Sequence, residues 1–258
     1  MNQVLLERDG AVAVLTLNNP AQRNPLSLDL LREFNLALSD AMADPAVRAI
    51  VLTGAGKGFC SGAQFGGDTF DQGDAVGRLM REQVTPLIER LRCSPKPVVA
   101  AVNGAAAGAG VGVALAADIV LAARSARFIL SFVRLGAALD GGTSQFLQRA
   151  IGAARTRALA LTGEPLPAEQ AAQWGLVWKC VDDAQLMHEA LACARKLAEG
   201  PPLALGHIKR QLEDAWTQPL SATLEQEARC QTQAFVTHDL KEGAAAFVEK
   251  RAPRFIGR

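Results

Sequence analysis

The stretch KPVVAAVNGAAAGAGVGVALAAD, residues 96–118, decides how this chain folds. Its apolar run at 98–102, followed by an Asn103-Gly104 turn, predicts a buried strand. Small residues follow at 105–110, and an alanine-rich helix is expected to end near Asp118. A strand, a glycine turn and a helix start can direct backbone N–H groups without helical partners toward one point. The stretch therefore fits either a site that holds negative charge or tight packing of a helix on a sheet.

The sequence on either side of this stretch alternates strand and helix patterns. Residues 4–6 and 12–17 alternate around an Asp9-Gly10 turn, which is typical of a hairpin. Ser27 is a good N-cap for a helix, because apolar residues at helical spacing follow it. These are Leu31, Phe34, Leu38 and Met42. Further short strands are predicted at 49–53, 119–123, 127–130 and 177–181, with helices dominating from 153 onward. This order favours an α/β fold whose sheets are covered by helices.

Composition excludes several classes of protein. The chain has 258 residues, of which 49% are hydrophobic and 21% are charged, as in ordinary globular proteins. A formal net charge of +1 gives no electrostatic reason to expect nucleic acid or an anionic membrane as a partner. We find no uninterrupted apolar run of membrane-spanning length and no evident signal peptide, so a cytoplasmic location is expected.

The cysteines and histidines do not form a recognisable site. The five cysteines are far apart, with no Cys-x-x-Cys pair, and we expect reduced thiols. The three histidines lack the spacing of metal ligands, so no metal is expected.

A second glycine-rich segment, GAGKGFCSGAQFGG at 54–67, also follows a predicted strand. Alone it would be interpreted as a surface loop. If this segment lies next to the segment at 105–110, each of the two could donate one backbone N–H group to the same oxygen atom. No Gly-Lys-Ser/Thr occurs, which excludes a P-loop, and Gly108-x-Gly110-x-Gly112 has the wrong spacing for a dinucleotide fingerprint.

Asp140 is the carboxylate best placed for chemistry. It precedes Gly141-Gly142 and a helix predicted to start at Thr143, so it could simply cap that helix. Alternatively, it lies at the mouth of an apolar pocket formed by Phe132, Leu135 and Leu139. Apolar surroundings disfavour the ionised form and suit a general base. A helical stripe that includes Leu79 and Met80 could form core or a further wall of this pocket.

Five ordered motifs resemble the enoyl-CoA hydratase/isomerase (crotonase) family over nearly the whole chain. They are TGAGKGFCSGA at 53–63, KPVVAAVNGAAAGAGVGVALAADIVLAA at 96–123, FVRLGAALDGG at 132–142, LTGEPLPAEQAAQWGLVWKCV at 161–181 and EGAAAFVEKRAPRF at 242–255. Within the family, the stretch from AAGAGVG to ARSARF and the WGLVW at 174–178 are most similar to 1,2-epoxyphenylacetyl-CoA isomerases of phenylacetate breakdown.

The resemblance implies a fold and an assembly. It implies an α/β spiral of ββα units over residues 1–195, followed by a C-terminal helical trimerisation region at 196–258. It also implies a homotrimer or a dimer of trimers that binds acyl-CoA thioesters. Coenzyme A is then part of the substrate, and no separate cofactor is expected.

The resemblance also implies roles for individual residues. The backbone N–H groups that hold the thioester oxygen fall on Ala63 and Ala109. The two glutamates of family hydratases fall on Gly112 and Phe132, which cannot transfer protons, so hydration by the usual route is disfavoured. An aspartate at the position of Asp140 moves protons in related isomerases.

Substrate-binding positions are carried over in the same way. The adenine-binding turn falls on Ala63, Gln64 and Phe65. The residue patterns themselves, rather than the resemblance, predict a substrate pocket that includes Met80, Phe132 and Leu139. Residues near the nucleotide are Arg23 and, from a neighbouring subunit, Phe247 and Lys250. The charges of Arg23 and Lys250 could equally be solvated surface charges. Gln64 replaces the aspartate and Leu139 the proline that are usual in the family, which bears on the identity of the acyl group.

We therefore predict an acyl-CoA isomerase that works through an enolate. It would convert the ring epoxide of phenylacetyl-CoA to an oxepin, or shift the double bond of a 3-enoyl-CoA to the 2-enoyl form. The alternatives are a non-catalytic acyl-CoA-binding protein on the same scaffold and an enoyl-CoA hydratase with non-standard catalytic residues.

Overall fold

Two β-sheets covered by helices make up the computed structural model, which describes residues 2–64 and 73–258. The strands are β1 Val4–Asp9, β2 Val12–Leu17, β3 Ala49–Gly54, β4 Gly58–Cys60, β5 Val98–Val102, β6 Ala105–Ala107, β7 Ile119–Ala123, β8 Arg127–Ile129, β9 Leu166–Pro167 and β10 Lys179–Val181. The helices are α1 Leu28–Ala43, α2 Gly73–Leu79, α3 Thr85–Cys93, α4 Ala109–Leu115, α5 Thr143–Thr162, α6 Ala168–Gln173, α7 Leu186–Ala198, α8 Pro202–Asp214, α9 Leu220–Phe235 and α10 His238–Glu249.

The larger sheet has the order β1-β2-β3-β5-β7-β10. β1 and β2 form the predicted antiparallel hairpin, with Val4 opposite Leu17 and Asp9 opposite Val12. The remaining neighbours are parallel. Every residue of β3 and β5 is buried, because helices, α7 among them, cover this part of the sheet. Continuous apolar strands are what a parallel sheet covered on both faces requires.

The smaller sheet has the order β4-β6-β8-β9 and consists of very short strands. Its members β4, β6 and β8 each follow a strand of the larger sheet by a few residues. Two strands and then a helix recur along the chain, as in β5-β6-α4 and β7-β8-α5. This repetition, together with the helical C-terminal region, confirms the predicted fold class.

Three predictions about individual elements need correction. The segment at 54–67 is not entirely a loop, because β4 lies within it and pairs in parallel with β6. Helix α4 ends at Leu115, earlier than predicted, and the side chain of Asp118 accepts a hydrogen bond from the Val98 N–H at 2.7 Å. The strand predicted at 177–181 is confined to β10, and the Trp178 N–H makes a bond to Val120 before the ladder begins.

Helix α1 begins as its sequence predicts. The Leu30 N–H donates to Oγ of Ser27 at 3.1 Å, which makes Ser27 the N-cap. Leu31, Phe34 and Leu38 are buried on the face that packs against the sheet, whereas Met42 is half-buried.

The last three helices, α8, α9 and α10, form the C-terminal helical region. Helix α7 precedes them and packs on β3 and β5. The division of the chain near residue 195 and the role of the last segment in trimerisation stay predictions. Among the helices that the structure describes, none combines the length and the apolar character needed to cross a membrane.

Candidate active site

The loop after β4 and the start of α4 lie side by side. Gly62 has φ +87°, and a Cβ placed on it would lie 2.7 Å from the carbonyl oxygen of Ala107 and 3.5 Å from the nitrogen of Ala109. The peptide before Ala63 therefore rests against the peptide that starts α4. Within residues 2–64 and 73–258, neither the Ala63 N–H nor the Ala109 N–H donates to a protein acceptor. Two backbone donors are thus available on neighbouring segments.

Residues 23–26 hold the Ala63 loop in place. The Leu26 N–H donates to the Gly62 carbonyl at 2.8 Å, and the Ser61 N–H donates to the Arg23 carbonyl at 2.9 Å. Leu26 and Ala63 form an isolated parallel bridge. The path of the loop is therefore set by a strand-like segment that is distant in sequence.

Asn24 is the central residue of this support, and the sequence analysis missed it. Its side chain is fully buried, and its Nδ2 donates to the carbonyls of Gly58 at 2.9 Å and Phe59 at 3.2 Å. Its Oδ1 accepts the Asn19 N–H at 2.7 Å. Both the donor and the acceptor of the amide are therefore hydrogen-bonded, and leaving either unpaired in the protein interior would cost free energy. Its neighbours, one an arginine, offered no local pattern that would have revealed this burial.

The Asp140 side chain does not cap helix α5. The helix starts at Thr143, its N-cap is Gly142, and no side chain bonds the first turn. Instead the backbone carbonyl of Asp140 accepts the Thr143 N–H at 3.0 Å and the Thr143 hydroxyl at 2.7 Å. The capping interpretation of this carboxylate is therefore wrong.

Asp140 is half-buried, and one oxygen of its carboxyl group is fully buried. Its Oδ1 has no hydrogen-bond partner among the residues that the structure describes. Burial raises the pKa of Asp140 to about 6. A carboxyl with a pKa near neutrality can both accept and return a proton at physiological pH.

The loop that carries Asp140 touches the first turn of α4. A Cβ on Gly141 would lie 3.5 Å from the Cα of Ala109 and 3.6 Å from the Cα of Gly112. The residue bonded to Asp140 therefore rests on the same helical turn that begins with Ala109. The fold brings together the segments of Ala63, Ala109 and Asp140, which are far apart in the sequence.

The apolar side chains predicted to form the wall of the pocket differ in their burial. Phe132 is buried, with 6% of its surface exposed, and one ring carbon lies 3.9 Å from where a Cβ on Gly108 would be. Leu139 is half-buried and packs against the core. Met80 is half-buried and begins a π-helical turn, Met80–Val84, between α2 and α3. The structure does not place Leu135 in this wall, because 58% of it is exposed.

The residues predicted to contact coenzyme A fall into two groups. Arg23 is exposed beside the Ala63 loop, and Gln64 is exposed next to Ala63, whereas Phe65 lies outside the described residues. Phe247, 86% exposed, and Lys250 are at the end of α10. No hydrogen bond or ion pair in the described part of the chain connects these two residues to the Ala63 loop.

Cys60 lies directly beneath the site and fits a packing role. It is fully buried, Gly110 passes close to its side chain, and burial raises its thiol pKa to about 12. A protonated thiol is a poor nucleophile. Over the described ranges, no group of three or more His, Cys, Asp or Glu side chains is arranged to hold a metal ion.

Known proteins of one family are similar to this chain over nearly its whole length. The family model described as enoyl-CoA hydratase/isomerase matches residues 7–258. A Rhodobacter capsulatus protein named a probable enoyl-CoA hydratase is 43% identical over 247 residues, 96% of this chain and 95% of its own length. The 1,2-epoxyphenylacetyl-CoA isomerase of Escherichia coli is 41% identical over 261 residues, covering all of both chains.

Solved structures give the same result. An enoyl-CoA hydratase from Bacillus anthracis superposes with a TM-score of 0.92 at 32% identity, covering 99% of this chain and all of the other. An enoyl-CoA hydratase from Polaromonas superposes with a TM-score of 0.89 at 34% identity, covering 98% and 99%.

Proposed function

This chain belongs to the enoyl-CoA hydratase/isomerase family, and we propose that it is an acyl-CoA isomerase working through a thioester enolate. The family acts on acyl-CoA thioesters. Its relatives carry both hydratase and isomerase names at similar identity. The choice between the two reactions therefore rests on the residues of the site.

The observation that carries the proposal is the Asp140 carboxylate beside the start of α4, whose buried Oδ1 has no hydrogen-bond partner among the described residues. Positions 112 and 132, where family hydratases have glutamates, hold glycine and phenylalanine. A site with one carboxylate can move a proton from one carbon to another, whereas the usual hydration route employs two acids to handle water. The presence of one carboxylate rather than two acids therefore favours isomerisation over hydration.

In the proposed reaction, Asp140 removes a proton from the carbon next to the thioester carbonyl. The electron pair of that C–H bond moves to the carbonyl oxygen, which the N–H groups of Ala63 and Ala109 stabilise. Each preorganised donor contributes roughly 10²–10³ in rate. For a 3-enoyl-CoA, the proton returns to the fourth carbon, the double bond moves to the 2,3 position and the composition is unchanged.

The ring epoxide of phenylacetyl-CoA is the second candidate substrate, with an oxepin as product. The similarity to the Escherichia coli epoxide isomerase supports it. One carboxylate serves either reaction, and coenzyme A enters as part of the substrate, so no cofactor is needed. Leu139, half-buried next to Asp140, stands where the family usually has proline, and we propose that it influences which acyl group fits.

Binding of the coenzyme A portion is proposed for Arg23, Gln64 and Phe65 within one chain. Phe247 and Lys250 would reach the nucleotide of a neighbouring subunit in a homotrimer or a dimer of trimers. The exposure of Phe247 together with the adjacent Val248 supports a contact of this kind, because neighbouring exposed apolar side chains are typical of interaction surfaces.

The test is to incubate the protein with 3-enoyl-CoA, 2-enoyl-CoA and epoxyphenylacetyl-CoA and to analyse the products. We expect isomerisation of the first or the third substrate, with its rate reduced at least ~10²-fold in Asp140→Asn. Asp40→Asn, an exposed aspartate on α1, is the control and should retain full activity.

Three outcomes would contradict the proposal. An unchanged isomerisation rate in Asp140→Asn would remove the assigned base. Addition of water to 2-enoyl-CoA without isomerisation of any substrate would support the hydratase alternative. Binding of all three thioesters without any turnover would support a non-catalytic scaffold.

A further inference from the structure

We propose that Gly112 is a positioning residue for Asp140, because the bare backbone of α4 at Gly112 supports the loop that carries this carboxylate. The inference rests on the proposed role of Asp140 as the base. It assigns a function to a glycine whose side chain cannot take part in chemistry.

The contact between Gly112 and Gly141 joins backbone to backbone. A Cβ on Gly112 would overlap the carbonyl oxygen of Gly141 and lie 2.8 Å from its carbonyl carbon and 3.0 Å from its Cα. The end of a flexible side chain could turn away from such a methyl group, but a backbone cannot. Either the Asp140 loop or helix α4 must therefore move if position 112 carries any side chain.

Helical conformation does not explain the glycine at 112. Its φ is not positive, so it needs no left-handed backbone there. In the middle of a helix, glycine is less favourable than alanine. The flanking residues Val111 and Val113 carry buried side chains, so the helix itself tolerates bulk next to this position. The close approach of Gly141 is what requires glycine.

A shift at Gly141 must reach Asp140, because the loop is fixed on its other side. The Asp140 carbonyl accepts two hydrogen bonds from the buried Thr143, and Gly141 lies between Asp140 and Thr143 in the sequence. A methyl group at 112 would push Gly141 outward and rotate the peptide that carries the carboxylate. The present loop position and a glutamate at 112 are therefore mutually exclusive, which links the missing hydratase acid to the placement of the isomerase base.

The test is a double-mutant cycle with Gly112→Ala and Asp140→Asn. We expect Gly112→Ala to lower kcat by about 10²-fold, the scale of a ~1 Å misplacement, while the Kd for an unreactive acyl-CoA stays nearly constant. In the Asp140→Asn background, Gly112→Ala should change the residual rate by less than about 2-fold, because the two residues act as one unit.

A milder variant and a matched control keep the test decisive if Gly112→Ala does not fold. Gly141→Ala strains the same loop through its φ of +58°, although its Cβ would make only ordinary contacts with Ala109 and Gly112, and it should show the same dependence on Asp140. Gly136→Ala is the control, because Gly136 also has a positive φ in this loop region but has no neighbour within 4 Å of a Cβ. It should leave kcat within about 2-fold and show no coupling to Asp140.

The possible failures are distinguishable. Equal losses from Gly112→Ala with and without Asp140 would mean general destabilisation and would overturn this inference alone. An unchanged kcat in a folded Gly112→Ala protein would overturn it as well. Full activity in Asp140→Asn by itself would overturn both the proposed function and the positioning role.

Discussion

The negative charge of Asp140 lies in partly buried surroundings, where it lowers the stability of the folded protein. Its Oδ1 is buried without a partner in the described residues, and burial alone accounts for a pKa of about 6. Near pH 7 the folded protein therefore holds an ionised carboxylate that an unfolded chain would solvate better. Strain of this kind is typical of groups retained for chemistry.

The rate of isomerisation should follow the ionisation of Asp140. A base must be unprotonated in the free enzyme, so kcat/KM should rise with pH and level off above a pKa of about 6. The measurement is the initial rate with a 3-enoyl-CoA from pH 4.5 to 8, at substrate concentrations well below KM. A flat profile between pH 5 and 7 would contradict the assignment of Asp140 as the base.

Replacing Asp140 should stabilise the protein, with a defined pH dependence. Because the folded pKa of about 6 exceeds the unfolded value of about 3.9, ionisation disfavours folding as pH rises through this range. Asp140→Asn should therefore raise the Tm at pH 8, and the gain should disappear below about pH 4. Thermal unfolding at both pH values, with Asp40→Asn as control, checks this. A lower Tm than wild type at pH 8 would contradict it.

Single residues were predictable from the sequence only where their partners are local. Ser27 was found because the helix that it caps follows directly. Asp140 was singled out from the sequence, but the capping interpretation could be rejected only once Gly142 was seen to start the helix without a capping side chain, and its role as a base stays a prediction. Asn24 was missed because its partners Gly58 and Phe59 are more than 30 residues away.

At the scale of elements, the smaller sheet is what places the two candidate oxyanion donors together. β4 and β6 pair in parallel, and the loop after β4 and the helix after β6 therefore emerge next to each other. The sequence could not reveal this pairing, because the three-residue strands Gly-Phe-Cys and Ala-Ala-Ala are too short to show an alternating pattern. The longer strands β3, β5 and β7 contain enough consecutive apolar residues to be predicted as buried strands from the sequence.

Gly62 should be essential to the meeting of these two loops. In Gly62→Ala, the methyl group would lie 2.7 Å from the Ala107 carbonyl and face the Ala109 nitrogen, at a φ that disfavours a side chain. Displacing one donor should lower kcat by roughly 10²–10³. Gly10→Ala, in the hairpin turn, has a positive φ but nothing within 4 Å, so it should affect Tm alone. The measurement is the steady-state kcat of both variants. Equal kcat values for Gly62→Ala and Gly10→Ala would contradict the placement of the two donors.

At the scale of the whole molecule, helix α8 is tied to the core by charged side chains. Lys209, with 10% of its side chain exposed, bonds Asp118 at 2.7 Å and the Lys96 carbonyl at 3.0 Å. Burial raises the pKa of Asp118 and lowers the pKa of Lys209. The charge of each residue partly offsets the effect of burial on the pKa of the other. Nearby, Glu213 bridges Arg92 and Arg149 between α8, α3 and α5. The C-terminal region is thus joined to the sheet by polar contacts.

Breaking this connection should destabilise the chain strongly. Asp118→Asn leaves Lys209 charged and nearly buried, so the free energy of unfolding should fall by about 3 kcal/mol. Glu225→Gln, which removes the exposed pair with Arg229, should change it by less than about 1 kcal/mol. Urea titrations at one fixed protein concentration compare the two variants. Similar small losses in both would show that the Lys209 pair does not secure α8.

The architecture was predictable as a class. Strands alternating with helices, and helices alone after residue 181, indicated an α/β core with a helical C-terminal region, and the structure confirms both. The predicted trimer does not follow from one chain, because association depends on a partner surface, and the single chain shows only that the region of Phe247 is exposed.

The most direct test of enolate formation at Asp140 is hydrogen exchange on a bound thioester. Wild type and Asp140→Asn are incubated with phenylacetyl-CoA or a 3-enoyl-CoA in deuterated water, and deuterium in the acyl chain is followed by mass spectrometry. We expect exchange that depends on the wild-type protein and is lost in Asp140→Asn, while both proteins bind the thioester equally. Equal exchange in the two proteins, or none in a wild-type protein with thioester bound, would contradict the assignment.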